Sequence, residues 1–259
     1  MFARENEKIY MEKENGIATI YINRPEKRNA LSIDMWKKMI EMVDSCTEDD
    51  EVKVMIFRST TETAFSAGAD ISEFETIRST VDGVISYGEL TSTLERKIAE
   101  SPKPSIAMIQ GFCVGGGCEI AVACDFRFSD ETGKFGITPA KLGIVYDTAA
   151  TKHLVDLVGP AHAKDILFTG RIFPAEEALQ MGLINRIVAT EELERETYTY
   201  AGRICENAQL SVQASKKIIH RVRQGATKDN EEIKQLIAES VQSDEYKQRV
   251  RAFLNKGKA

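Results

Sequence analysis

The stretch GFCVGGGCEIAVACD, residues 111–125, sets three consecutive glycines between two apolar runs. Residues 104–114, which include the first apolar run, predict a buried strand. The second apolar run, CEIAVAC at 118–124, predicts a helix. Glycines at such a turn let a ligand approach the backbone, and the start of a helix attracts negative charge. A close packing turn between strand and helix would need the same glycines, so this stretch alone leaves both interpretations open. The pattern matches neither a dinucleotide-binding fingerprint nor a P-loop.

A second stretch of small residues, AFSAGADI at 64–71, places Asp70 close to a predicted helix start. Each of the two stretches can supply one backbone N–H group. Two such donors directed at one carbonyl oxygen would form an oxyanion hole, in which a single donor typically lowers the barrier by roughly 3 kcal/mol. The pair of stretches therefore favours chemistry on a polarised carbonyl group.

Strand and helix patterns alternate up to about residue 188, and only helical patterns follow. In the segment 173–188, Pro174 is expected to open a helix and Gly182 to close it before a strand. We therefore expect an α/β core over 1–190 and a helical region over 191–259. The other expected elements are a hairpin over 8–23, a helix over 33–46, a strand over 53–59, a helix over 82–100 and a strand over 125–130.

The composition is that of a soluble globular protein and argues against several function classes. The 259 residues are 42% apolar and 29% charged, and a net charge of −6 without a long basic run argues against nucleic acid as a partner. No apolar stretch approaches the ~20 residues of a membrane span, and the charged residues 1–16 lack a signal-peptide pattern, so we expect no membrane contact and a cytoplasmic location. The five cysteines include no Cys-x-x-Cys pair, so no metal site is expected. The three histidines are interpreted as surface or packing residues.

Five motifs resemble the crotonase (enoyl-CoA hydratase/isomerase) superfamily and occur in that family's order and spacing. They are NRPEKRNAL (23–31), AFSAGADI (64–71), GFCVGGGCEIAVACD (111–125), LGIVYD (142–147) and FTGRIFPAEEALQMGLINRIV (168–188). The resemblance implies an α/β fold of the crotonase (ClpP-like) type, a spiral of repeated strand-strand-helix units with a helical C-terminal trimerisation region. It also implies a homotrimer or hexamer that acts on an acyl-CoA substrate in fatty acid metabolism, with coenzyme A as part of the substrate and no further cofactor.

The resemblance assigns the two oxyanion N–H groups to Ala69 and Gly116, with the thioester oxygen between them. The charge that they stabilise is then that of an enolate. In this family the pantetheine and adenine of coenzyme A lie along positions that match Ala67, Ala69, Asp70 and Ile71. The family often adds an aromatic residue and a lysine near the C-terminus, which correspond to Phe253 and Lys256.

A compact basic cluster offers a place for phosphate groups. Arg24, Lys27 and Arg28 lie close together in an otherwise acidic sequence. Attraction of the CoA phosphates is one interpretation of the cluster, and a solvated turn is the other.

Glu119 matches the first of the two glutamates that hydratases of this family use as acid and base. A partner of the helix dipole is its alternative role. The second glutamate is absent, because Pro139 occupies its place in FGITPAKLG (135–143) and proline cannot move protons. Several isomerases of the family carry a carboxylate at the position of Asp147, where hydratases usually have glycine. Asp147 would either act with Glu119 on the acyl carbons or cap the helix 148–158.

The leading hypothesis is therefore hydration or double-bond isomerisation of an enoyl-CoA, with Glu119 and Asp147 as acids and bases. Two alternatives stay open. The run TPAKLGIVY (138–146) also resembles methylmalonyl-CoA decarboxylase, in which a tyrosine matches Tyr146, although a histidine of that relative corresponds to Ala69 here. The chain could also be a non-catalytic relative that binds CoA or RNA.

Overall fold

The computed structural model describes residues 7–256. Its strands are β1 Ile9–Glu14, β2 Ile17–Ile22, β3 Val54–Ser59, β4 Ala64–Ser66, β5 Ser105–Ile109, β6 Phe112–Val114, β7 Phe126–Asp130, β8 Lys134–Gly136, β9 Phe173–Pro174 and β10 Arg186–Val188. Its α-helices are α1 Ile33–Glu48, α2 Phe74–Ile77, α3 Val81–Glu100, α4 Gly116–Ala123, α5 Pro139–Leu142, α6 Thr148–Thr169, α7 Ala175–Gln180, α8 Leu193–Cys205, α9 Gln209–Arg223, α10 Glu231–Gln242 and α11 Asp244–Lys256.

The strands form two sheets that the chain visits in turn. The larger sheet has the order β1-β2-β3-β5-β7-β10, in which only the β1–β2 hairpin is antiparallel. The smaller sheet has the order β4-β6-β8-β9, with β4, β6 and β8 parallel and β9 antiparallel to β8. The pairs β3–β4, β5–β6 and β7–β8 each give their first strand to the larger sheet and their second to the smaller. This is the expected spiral of strand-strand-helix units.

The predicted strand over 104–114 is two strands in two different sheets, which corrects the sequence-based expectation. The chain leaves β5 and enters β6 through Gly111, whose φ is +61°. A Cβ at this position would lie 2.1 Å from the carbonyl oxygen of Thr63. A continuous apolar run therefore hid a bend that only glycine permits.

The segment 173–188 also departs from the prediction at its first residues. Pro174 belongs to the two-residue strand β9 and precedes the helix as its N-cap rather than opening it. Gly182, at φ +79°, follows the shorter helix α7 as expected, and the strand is reduced to β10.

Helix α1 packs its apolar face beneath the turn that carries the three glycines. Ser32 caps this helix by accepting a hydrogen bond from the Met35 N–H. Trp36, in its first turn, is fully buried and belongs to the main hydrophobic core. The indole therefore lies directly beneath the functional site.

The described chain ends in helices alone after β10. Among residues 7–256, none of the helices has the length and apolar character needed to cross a membrane. Several large apolar side chains of α9, α10 and α11 are exposed: Ile219, Val222, Ile237, Val241, Phe253 and Leu254.

Candidate active site

The two small-residue loops meet because they follow neighbouring parallel strands. β4 and β6 are paired in parallel, so their carboxyl ends lie at the same edge of the smaller sheet. The loop 67–70 follows β4, and the turn at Gly115 and Gly116 follows β6. Leu31 bridges to Ala69 and holds the first loop in place. The topology therefore brings together the two segments that sequence analysis paired.

Two backbone N–H groups are open at this junction. Within residues 7–256, neither the Ala69 N–H nor the Gly116 N–H donates a hydrogen bond. Gly116 is the first residue of α4, where a backbone N–H has no acceptor within the helix. A Cβ at Gly116 would lie only 3.7 Å from the Ala69 nitrogen. The structure thus places both expected oxyanion donors next to each other.

Glycine is required here both for close packing and for access. Gly68 has φ +94°, and a Cβ on it would lie 2.9 Å from the Val114 carbonyl oxygen. A Cβ on Gly117 would lie 2.6 Å from that of Ser66, and one on Gly116 would lie 2.8 Å from Cζ2 of Trp36. The packing interpretation and the binding interpretation therefore describe the same turn. Close contact of the two loops is what places the free N–H groups side by side.

A cavity of about 630 Å³ opens over these donors. Ala69 and Gly116 lie in its wall together with Glu119 and Asp147. Helix α3 contributes another side of the cavity through Val84, Ile85, Tyr87, Gly88, Thr91 and Ser92. The cavity therefore combines an apolar wall with a few polar groups, an arrangement typical of a small-molecule site.

Glu119 lies in the first turn of α4 and faces the cavity. Burial of its carboxyl group raises its pKa to about 7, and the nearby charge of Asp147 acts in the same direction. A hydrogen bond from Glu95 and the charge of Arg78 both lower the pKa of Glu119 and partly offset this rise. A carboxyl group with a pKa near neutrality can both take and return a proton at physiological pH.

Asp147 caps a helix, which is one of the two roles that sequence analysis left open, and it also lies in the cavity wall. Its Oδ1 accepts a hydrogen bond of 2.9 Å from the Ala150 N–H and so caps helix α6. The same residue lines the cavity and is close enough to Glu119 to raise the pKa of that carboxyl group. Capping therefore fixes this carboxylate at the cavity wall.

Pro139 and Tyr146 line the same cavity. Pro139 begins the short helix α5, so the place of the second hydratase glutamate is apolar. The hydroxyl group of Tyr146 is buried and has no hydrogen-bond partner within residues 7–256.

The basic cluster divides into one structural and two exposed residues. Arg24 forms an ion pair of 2.7 Å with Asp70, and both side chains are largely buried. A hydrogen bond from Ser72 is the main cause that lowers the pKa of Asp70 to about 2, and Arg24 contributes to the shift. Lys27 and Arg28 are exposed. Arg24 therefore clamps the loop after β4 and is not free for a phosphate group.

The remaining expected CoA contacts lie in two regions. Ala67 and Ile71 line the cavity. Phe253 lies on α11, is 80% exposed and is absent from the cavity wall. Lys256 ends the same helix, and its side chain lies outside the described residues. Within the described part of this chain, helix α11 does not line the cavity.

Sequence analysis missed a third acid, Glu95 of α3. Its side chain is 1% exposed and contacts Glu119 from behind the cavity wall. His153 of α6 lies near it, with Nδ1 3.9 Å from Glu95 Oε2. The sequence does contain a signal, because Glu95 follows Tyr87 and Thr91 at intervals of four residues on the buried face of α3.

Stability is expected to fall as the pH rises from about 4.5 to about 7, because Glu119 must then ionise against burial and Asp147. Its raised pKa means that the folded state keeps a proton that the unfolded state has lost. The loss approaches about 3 kcal/mol above the folded-state pKa. Urea unfolding between about pH 5 and pH 8 measures it.

In this measurement Glu119→Gln should remove the part of the pH dependence that comes from Glu119, while the part from the buried Glu95, whose pKa is also raised, should remain. The matched control is Glu89→Gln, since Glu89 lines the same cavity but is exposed. Equal slopes for wild type and Glu119→Gln would contradict the raised pKa.

Comparison with known proteins places this geometry in context. The sequence model of the enoyl-CoA hydratase/isomerase family matches residues 12–259. A crotonyl-CoA hydratase from Syntrophomonas wolfei is 39% identical over 210 residues, which is 81% of this chain and 80% of the relative. A short-chain-enoyl-CoA hydratase from Clostridium acetobutylicum is 38% identical over 213 residues, which is 82% of this chain and 81% of that relative.

Solved structures agree with the sequence relatives. The crystal structure of an enoyl-CoA hydratase/isomerase family protein from Hyphomonas neptunium superimposes with a TM-score of 0.92 at 41% identity. The match covers 96% of this chain and 95% of that chain.

Proposed function

Because this chain belongs to the enoyl-CoA hydratase/isomerase family, we propose that it catalyses proton transfer at the α-carbon of an enoyl-CoA. Hydration is the outcome that the geometry supports best. The observation that carries the proposal is one cavity that holds a carboxyl group of pKa about 7 beside two free N–H groups, those of Ala69 and Gly116.

The site can stabilise an enolate at a defined place. A thioester oxygen that accepts from Ala69 and Gly116 gains charge when a nucleophile adds at the β-carbon, and the two donors then bind it more tightly. Glu119 stands in the same cavity to deliver a proton to the α-carbon. Each step uses a group that the fold already holds in position.

Hydration needs a second group to orient and deprotonate water, and Asp147 is the candidate. Of the other carboxylates in the cavity wall, it is the one whose charge acts on Glu119, and in this proposal it takes over the part that Pro139 cannot perform. Isomerisation is the second candidate, since Glu119 alone can carry a proton between the α- and γ-carbons. The hydrogen bond that ties Asp147 Oδ1 to α6 favours this second outcome.

The direct test offers three thioesters to the purified protein: crotonyl-CoA, 3-butenoyl-CoA and methylmalonyl-CoA. Chromatography with mass spectrometry separates addition of water, double-bond migration and loss of carbon dioxide. Addition of water to crotonyl-CoA supports hydration. Tight CoA binding without turnover of any thioester would instead identify a non-catalytic relative.

Asp147→Asn is expected to lower kcat for hydration by about 10²-fold, because it removes the group that activates water. Asparagine is a good N-cap, so the melting temperature should stay close to that of wild type. The matched control is Asp147→Ser, which also keeps a capping oxygen and lacks the carboxylate. Full hydratase activity in both variants would assign water activation to another residue.

Decarboxylation remains a candidate because of Tyr146. Tyr146 lines the cavity, and its buried hydroxyl group, which has no hydrogen-bond partner among residues 7–256, could hydrogen-bond to a carboxylate on the acyl group. Loss of carbon dioxide from methylmalonyl-CoA that Tyr146→Phe abolishes and Asp147→Asn preserves would establish this activity.

Two further features complete the proposal. The exposed Lys27 and Arg28 are the groups that we propose to attract the CoA phosphates. We also propose assembly into a trimer or a hexamer through the exposed apolar side chains of α9 to α11. Sedimentation velocity measures the state directly.

A further inference from the structure

Glu95 is an unusual acid because it lies on the buried face of a helix. It stands in the last two turns of α3 between buried apolar neighbours, Leu94 and Ile98. Its Oε1 is buried, and no N–H or hydroxyl group within residues 7–256 donates a hydrogen bond to it. The residue is not part of the cavity wall, so it lies behind Glu119 and not beside the substrate. A buried carboxylate in this position needs a partner that compensates its charge.

The groups that face Glu95 supply no such charge. Glu119 approaches from α4 and Asp147 from the start of α6, and both are acids. His153 of α6 has Nδ1 3.9 Å from Glu95 Oε2, which is beyond hydrogen-bonding distance. Burial lowers the pKa of His153, so its ring is neutral at neutral pH.

The other charged groups near this region are engaged or lie farther from Glu95. Helix α1 meets α3 through an ion pair of 2.5 Å between Asp44 and Lys97. Arg78 interacts electrostatically with Glu119 and stacks on Phe74 and Tyr87, with its guanidinium carbon 4.7 Å and 5.4 Å from the two ring centroids. Burial, followed by Glu119 and Asp147, therefore raises the pKa of Glu95 well above its usual range. This shift favours the protonated form of the side chain.

A protonated carboxyl group has one O–H to donate, and the acceptor in contact is Glu119. The two side chains share a hydrogen bond, which lowers the pKa of Glu119 and raises that of Glu95. Glu95 is the more deeply buried of the two acids, whereas Glu119 faces the cavity, so Glu95 is the side chain that favours the neutral, donating form.

We propose that Glu95 is the positioning residue of Glu119: it stays protonated, donates its O–H to the Glu119 carboxylate and holds that carboxylate against the cavity wall. Glu119 thereby has a carboxyl partner behind the cavity wall. On the side that faces the substrate, Pro139 occupies the place of the second hydratase glutamate. The catalytic consequence rests on the function proposed above. Without this donor, burial and Asp147 would hold the pKa of Glu119 higher and so change the pH at which it can exchange a proton with the substrate.

The pH dependence of kcat/KM tests this role with a matched pair of variants. Glu95→Met keeps the volume and removes the donor, so the limb that reports ionisation of Glu119, the basic limb when Glu119 is the proton donor of hydration, should move up by about one to two pH units. Glu95→Gln keeps an N–H donor towards Glu119, so the same limb should stay close to that of wild type. A merely structural role would not separate the two. Equal displacement in both variants, or none in either, would overturn the proposal.

A measurement without substrate separates this inference from the proposed function. At about pH 9, well above the pKa of Glu119, infrared spectra in H₂O and D₂O should show a protonated carboxyl band in wild type and in Glu119→Gln. The same band should be missing in Glu95→Gln. Its absence from wild type, or its persistence in Glu95→Gln, would overturn the proposal. If the band behaves as expected but no thioester is turned over, the carboxyl pair stands and the proposed function fails.

Discussion

Glu119→Gln is expected to lower kcat by about 10³-fold, the typical contribution of a positioned general acid or base. The amide has nearly the shape of the carboxyl group but cannot take or return a proton at neutral pH. KM should change little, since in the proposed site the thioester oxygen is bound by the backbone N–H groups of Ala69 and Gly116. Steady-state kinetics with the thioester that the wild type turns over measure both parameters.

The control for this substitution is again Glu89→Gln, which changes an exposed glutamate in the wall of the same cavity. Its kcat should remain within the range of wild type. If Glu119→Gln retained more than about a tenth of the wild-type kcat, proton transfer would have to be assigned elsewhere.

Removing the Gly116 N–H is expected to cost about 10²- to 10³-fold in kcat, the usual effect of losing one oxyanion donor. Gly116→Pro deletes this N–H, and proline is tolerated at the first position of a helix, which Gly116 occupies in α4. Gly116→Ala is the matched variant that keeps the N–H. The expected loss is the ratio of kcat between these two variants.

Both variants add a Cβ that would lie 2.8 Å from Cζ2 of Trp36. They are therefore compared in a Trp36→Phe background, because phenylalanine lacks the outer ring that the Cβ would contact. Thermal unfolding and CoA binding show whether the pair remains folded to the same extent. Equal kcat values in the two variants would show that Gly116 is not an oxyanion donor.

The fold could be predicted from the sequence largely because the residues that begin and end its helices and strands act locally. The β1–β2 hairpin and helix α1 lie where turn residues and apolar spacing place them. The comparisons confirm the crotonase-type fold and the family that the five motifs indicated. The break between β5 and β6 was missed, because it depends on the contact of Gly111 with the backbone of Thr63, distant in sequence.

The site residues that belong to a sequence motif could be predicted. The residues that are brought to the site by packing alone could not. Glycine turns and Glu119 have local signatures, and the structure gathers them in one cavity. Arg24 was interpreted as a phosphate ligand, but its partner Asp70 lies 46 residues away and is brought to it only by the fold. Glu95 was missed for a related reason: its importance comes from the approach of α3 to α4, which helix periodicity alone does not reveal.

Trp36 lies under the glycine turn, and its fluorescence can report on the state of the cavity. It is the single tryptophan of the 259 residues, so all indole emission comes from this place. Its outer ring lies directly under Gly116 and borders the cavity. Occupancy of the site can therefore be followed in the unlabelled protein, without any added dye.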